Sequence, residues 1–190
     1  MIPQNRIVPS EWFQKTPSPY EGAEKFKVAL WWYVGAPLFL LIPHHLNKIR
    51  ILLLRAFGAK IGVGCFVSRR AKIWMPWKLW VGDNTGIGFD ALIYNFDEVK
   101  IGSYCSISPL VFINTASHDY RSQTFDYITK PVLIEDGCFI GADAYISPGV
   151  TIGELAVVGA RSVVTKTLPS CMVCAGQPCI PIKSRFDASN

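Results

Sequence analysis

The sequence predicts an all-β solenoid, a parallel β-helix of about five coils, with an N-terminal helical region and one protruding loop. Three observations lead there. An aliphatic residue recurs every six positions, a small residue follows it by four, and the pattern breaks once for a polar and aromatic stretch before resuming.

The aliphatic column runs Ile61, Val67, Ile73, Val81, Ile87, Ile93, Ile101, Ile107 and Ile113, then after the break Ile134, Ile140, Ile146, Ile152, Val158 and Val164. Every member is Ile or Val, residues that fit a pleated, buried surface. Four positions on stand Cys65, Thr85, Ala91, Cys105, Val111, Ser117, Cys138, Ala144, Val150, Ala156 and Ser162. A large and a small residue facing inward once per hexad suit a triangular coil of three short strands. Gly62, Gly82, Gly88, Gly102, Gly141, Gly153 and Gly159 each follow the aliphatic residue, where a tight corner tolerates no bulky side chain. The first three coils begin at 61, 81 and 101, so each carries a surplus after its third hexad, at one corner. The period leaves the hand of the coil open, and parallel crossovers are usually right-handed.

The break, residues 118–131, reads as a loop projecting from a rigid wall, the usual place for function. Residues 1–57 form an N-terminal extension and helical cap, with helix breaks expected at Gly35, Pro37 and Pro43. The apolar run from Val28 to Ile42 is short for a bilayer span. It fits a cap over the open end of the solenoid, or a membrane-surface anchor using Trp31, Trp32 and Tyr33 with flanking lysines. The solenoid proper occupies 58–183, and 184–190 reads as a loose tail.

Half of the 190 residues are hydrophobic and 17% charged, the composition of a compact chain. The formal charge of +5 admits an anionic partner, but scattered basic residues without aromatic interleaving argue against nucleic acid. No charged segment leads into an apolar core and cleavage site, so a cytoplasmic protein is expected, with its six cysteines reduced. Cys65, Cys105 and Cys138 share the small inward position and should stack. Cys171, Cys174 and Cys179 lack a fourth ligand and a partner histidine, a weak metal pattern. No metal is expected.

Of three histidines, His44 and His45 sit beside Pro43 in the helical region, whereas His118 stands where the solenoid gives way to the loop. A lone loop histidine is more often solvated than catalytic. Ser117, Asp119 and Tyr120 offer groups that could set its tautomer. Asp97–Glu98 and Glu135–Asp136 read as solvated corner residues rather than acid/base pairs. Asp90 and Asn95 lie one coil before His118, with Asn95 beneath Thr115, and are candidates for contact with a substrate.

The hexads, the SHDY sequence at 117–120, the run IGADAYISPGVTIG at 140–153 and GARSVVTK at 159–166 resemble the hexapeptide-repeat O-acetyltransferases. The likeness covers residues 47 to 183 and is strongest to bacterial colanic acid and exopolysaccharide acetyltransferases, with maltose and galactoside acetyltransferases more distant. It implies a left-handed β-helix, a homotrimer, and acetyl-CoA in a groove between subunits. Carried onto this chain, it makes His118 the general base and Asp90 and Asn95 acceptor contacts. It places Gly141, Ala142, Gly159 and Ala160 along the pantetheine arm, and Thr165, Lys166 and Lys183 at the nucleotide end. The implied acceptor is a sugar or glycan hydroxyl; an amino-sugar nitrogen and a non-catalytic scaffold are the alternatives. A zinc enzyme of the same architecture would need three imidazoles, and the repeat region has one. Weak association with the inner face of a membrane is the expected setting.

Overall fold

The computed structural model describes residues 18–20 and 22–187. The aliphatic hexads become the strands of a left-handed parallel β-helix. Its first sheet stacks β1 (Lys60–Ile61), β4 (Leu79–Val81), β7 (Val99–Ile101), β12 (Val132–Ile134) and β15 (Thr151–Ile152). The second stacks β2 (Phe66–Val67), β5 (Gly86–Ile87), β8 (Ser106–Ile107), β13 (Phe139–Ile140), β16 (Val157–Val158) and β18 (Met172–Gly176), with β19 (Cys179–Ser184) antiparallel at its edge. The third stacks β3 (Lys72–Ile73), β6 (Leu92–Tyr94), β9 (Phe112–Asn114), β14 (Tyr145–Ile146) and β17 (Val163–Val164). Five coils are complete. A sixth is begun by Leu168, bridged to Ile152, and by β18.

Register follows the sequence columns: Ile61 pairs with Val81, Val81 with Ile101, Ile101 with Ile134 and Ile134 with Ile152. All the aliphatic hexad residues are buried. Each such burial stabilises the fold by about 1.5–3 kcal/mol, so stacking rather than strand length holds these two- and three-residue strands. Cys65, Thr85, Cys105, Cys138 and Ala156 form the small column, and Cys174 extends the Val67–Val158 column into the sixth coil. The six cysteines are free thiols. That of Cys138 is pushed well up by the neighbouring Cys105 thiol and by burial.

Ser117 departs from its column. It is exposed, because the third coil ends at Asn114 and the chain turns outward into a hairpin. The expected loop is an antiparallel pair, β10 (Ala116–His118) with β11 (Tyr127–Thr129), closed by residues 119–126. The surplus corner residues have a purpose here. Residues 76–78 make a 3-10 turn, and Met75, Phe96 and Ala116 form a second small core beneath the hairpin.

Helix α1 (Gly22–Leu30) runs through a π-helical turn (Trp31–Gly35) into α2 (Ala36–Leu41) without breaking at Gly35 or Pro37. Gly35 lies against the Trp31 indole, which a Cβ would overlap, and Pro37 falls in the first turn of α2, where its missing N–H costs little. The break comes at Pro43, before α3 (Asn47–Ala56). Trp31, Phe39, Ile51 and Leu54 pack onto Ala59, Ile61 and Val67, so the segment caps the solenoid. Arg50, fully buried, ties the cap down: Nε donates to the Val67 carbonyl, and the terminal nitrogens donate to those of Pro43 and His44. Loss of solvent around it lowers the guanidinium pKa.

Residues 184 and 185, read from the sequence as part of a loose tail, are held against the solenoid, and 188–190 lie outside the described residues. Ser184 ends β19, and Arg185 donates to the carbonyls of Gly137 and Leu155, each at 2.8 Å.

Candidate active site

The third hexad position ends each coil at the corner between the third and first sheets, and His118 leaves from that corner. Its ring packs on Phe125 (centroids 4.6 Å apart) and Tyr127 (4.3 Å), and Tyr127 stacks in turn on Phe96 from the coil below. His118 Nδ1 lies 2.7 Å from the Phe125 carbonyl oxygen. A carbonyl can only accept, so Nδ1 carries the proton and Nε2 is left with its lone pair. The tautomer is thus set by a backbone group across the hairpin, not by Ser117, Asp119 or Tyr120. Asp119 is engaged elsewhere, its carboxylate accepting from the Arg121 amide and its own N–H donating to the Asp126 carbonyl.

The hairpin tip is held by Asp126, which accepts from the Thr124 hydroxyl (2.6 Å) and the Ser122 hydroxyl (2.7 Å). These bonds hold its carboxyl below the usual carboxylate range. Beneath the hairpin a cavity of about 380 Å³ is lined by Pro19, Met75, Lys78, Phe96, Asp126 and Tyr127, among others. Lys78 reaches it from an ion pair with Glu24 (3.1 Å) while donating to the Phe96 carbonyl. Tyr20, stacked on Phe96, accepts from the Trp74 indole N–H, and burial pushes its phenol pKa up.

The other candidate residues divide. Asn95 does lie beneath Thr115, but it is 0% exposed, and both ends of its amide are taken by Met75, accepting from the N–H (2.9 Å) and donating to the carbonyl (2.7 Å). It clamps the corner beneath the hairpin and presents no surface to a ligand on this chain. Asp90 sits at a different corner, between the second and third sheets, paired with Arg70. Its φ of 56° is the left-handed conformation that Asp and Asn tolerate, which accounts for the residue without a ligand.

Gly141, Ala142, Gly159 and Ala160 occupy this same kind of corner in the fourth and fifth coils. A Cβ on Gly141 would stand 2.5 Å from the Ala160 nitrogen, so glycine there is required by coil stacking alone. Thr165 and Lys166 are exposed on the His118 corner, two coils further along, and Lys183 is exposed on β19. The candidate cofactor residues thus flank the third sheet from both sides, and Lys183 stands apart on the second. Cys174 and Cys179 lie in the core on the terminal β18–β19 hairpin and Cys171 immediately before it; among the described residues no three His, Cys, Asp or Glu side chains are grouped to hold a metal ion. Phe96, Tyr127 and the Phe125 carbonyl went unread in the sequence. Only the aromatic content of residues 120–127 hinted at them.

A left-handed β-helix interrupted by a histidine-bearing hairpin defines a class, the hexapeptide transferases, and the comparisons agree. The bacterial transferase hexapeptide (six repeats) family matches residues 131–166. WcaF of Escherichia coli (strain K12), a protein assigned as a colanic acid biosynthesis acetyltransferase, is 42% identical over 171 residues, 90% of this chain and 94% of that protein. The crystal structure of the hexapeptide-repeat acetyltransferase VCA0836 of Vibrio cholerae with acetyl-CoA superposes with a TM-score of 0.77 at 27% identity, covering 90% of this chain and 93% of that one. A galactoside acetyltransferase in complex with coenzyme A gives 0.79 at 27% identity, covering 86% and 82%. This chain belongs to the hexapeptide-repeat acetyltransferase family and is an acyltransferase.

Proposed function

We propose that the chain transfers an acetyl group from acetyl-CoA to a hydroxyl of a sugar or glycan in exopolysaccharide biosynthesis, with His118 as general base. The observation that carries the reading is the bond from His118 Nδ1 to the Phe125 carbonyl, which places the ring proton on Nδ1 and leaves the Nε2 lone pair to accept one. A neutral alcohol is a weak nucleophile. Nε2 takes its proton as the oxygen attacks the thioester carbonyl, and the imidazolium returns that proton to the departing thiolate, so no acyl-enzyme forms. Such base catalysis is worth about 10²–10⁴-fold. The rings of Phe125 and Tyr127 fix the imidazole plane.

The acyl donor follows from the relatives crystallised with acetyl-CoA and coenzyme A. Gly141, Ala142, Gly159 and Ala160 present a wall free of large side chains for the pantetheine arm, and Thr165, Lys166 and Lys183 serve the phosphates. No single face of one chain holds all seven, which supports a homotrimer whose groove is completed by a second copy. Apolar Phe89 and Leu110, exposed and stacked at one corner, support an assembly too. A soluble sugar or a membrane-borne glycan both suit the chemistry. The test is incubation of the purified chain with acetyl-CoA and a panel of free sugars, nucleotide-sugars and lipid-linked glycans, read by mass. Alkali-labile acetylation of a hydroxyl is expected; acetyl-CoA consumed only with amino sugars, giving an alkali-stable amide, contradicts it.

A further inference from the structure

The helical cap has a second face. Trp31, Gly35 and Phe39 recur at helical spacing and face the solenoid core. On the other side Phe26, Leu30, Val34, Leu38 and Leu41 recur at the same spacing and are exposed, Phe26 and Leu41 by 72% and 73%. Tyr33, beside them, is 83% exposed. In α3, Ile49 and Leu52 are exposed while Ile51 and Leu54 are buried. Leu38, Leu41, Ile49 and Leu52 line one shallow groove, so the outer stripes of the two helical segments are continuous. Isolated exposed apolar residues are ordinary, but a joined stripe of this length is not.

Its charge is one-sided. Within residues 22–57 the single acidic residue, Glu24, is already paired with Lys78, whereas Lys25, Lys27 and Lys48 are exposed beside Phe26 and Ile49. Among the described residues none of these three lysines is in an ion pair. Of Trp31, Trp32 and Tyr33, which the sequence offered as the anchor, Trp31 is committed inward, 1% exposed with its indole N–H donating to the Ile73 carbonyl at 2.8 Å, and Trp32 is half-buried, which leaves Tyr33 outward.

We infer that this outer face of the cap docks onto an anionic lipid bilayer, lying in the interface without crossing it. Apolar side chains rimmed by lysines and an exposed tyrosine match a surface that is oily below and negative above. No helix among the described residues is long and apolar enough to cross a membrane. A second copy of the chain fits less well, since apposing two such faces sets lysine against lysine.

The experiment is flotation of the full chain with vesicles of phosphatidylcholine alone or mixed with phosphatidylglycerol. The expected result is binding to the anionic vesicles that weakens as added salt shortens the Debye length from about 10 Å to about 3 Å. The double variant Leu41→Glu, Leu52→Glu should bind at least about tenfold less, with its melting temperature and its acetyl transfer to a soluble acceptor unchanged. Vesicle binding and melting temperature are read whether or not the acceptor reading is right. No binding by the parent at low salt, equal binding to both vesicle types, or full binding by the double variant overturns the proposal. So does a change of oligomer mass in the double variant without a change in vesicle binding, which assigns the face to contacts between copies. Binding that appears only once residues 1–17 are removed assigns it to that segment and overturns the proposal for the full chain.

Discussion

The coil wall and the His118 hairpin obey different rules. In the wall, each residue is dictated by the coil above and below it: Gly141 by the Ala160 nitrogen, Ile140 by Ile107 and Val158 in register, Asp90 by a left-handed corner. In the hairpin no repeat constrains the chain, and what fixes His118 is local, a carbonyl seven residues away and two aromatic rings. A residue type in the wall therefore says little about ligands, since structure alone explains it. In the hairpin the same inference is far stronger.

Substitutions separate the two regions. Gly141→Leu should be the most damaging change: the side chain meets backbone rather than a flexible neighbour, and we expect loss of folded protein by circular dichroism, with destabilisation of about 3 kcal/mol or more. A folded Gly141→Leu with only weakened acetyl-CoA binding would show instead that the glycine serves the ligand alone. Trp31→Ala should cost about 3–5 kcal/mol by opening the cap, seen as a melting temperature lower by roughly 6–20 °C. Asn95→Ala strands the Met75 N–H and carbonyl in the core, at about 1–3 kcal/mol for each. If Asn95 instead contacted acceptor, KM would rise with the melting curve unmoved.

The smallest effect belongs to Asp126. Its carboxyl pKa is depressed in the folded chain, so the stability it lends is present above the ordinary carboxylate value of about 4 and is lost as pH falls through the folded value. Acidification below that range should loosen the hairpin, lowering protection of the Asp119 amide, which donates to the Asp126 carbonyl. Asp126→Asn should lack this acid-dependent step. An identical pH dependence in the variant removes Asp126 from that role.

The sequence made the wall legible because a period repeats one physical constraint many times. The columns from Ile61 to Val164 and their register could be written down before any coordinates. It said less about the corners. That each coil needs a left-handed residue three after the aliphatic, met by Asn84, Tyr104 or Leu155 as well as by glycine, leaves no single residue type to read. Asn95 looked like a ligand residue because buried clamps and ligand contacts use the same amide chemistry. Ser117 looked like a core residue because the period carried one step too far, past the point where the hairpin starts. The partner of His118 was invisible for a simpler reason: it is a main-chain carbonyl, which every residue has.

We propose for His118 a role set apart from the fold, that of proton transfer. It is tested most directly by measuring kcat/KM and the melting temperature of His118→Ala beside the parent chain, with the acceptor found by the mass screen. A fall in kcat/KM of about 10²-fold or more is expected, with the melting temperature held. A variant that turns over at the parental rate, or one whose loss of rate is matched by loss of the folded state, contradicts it.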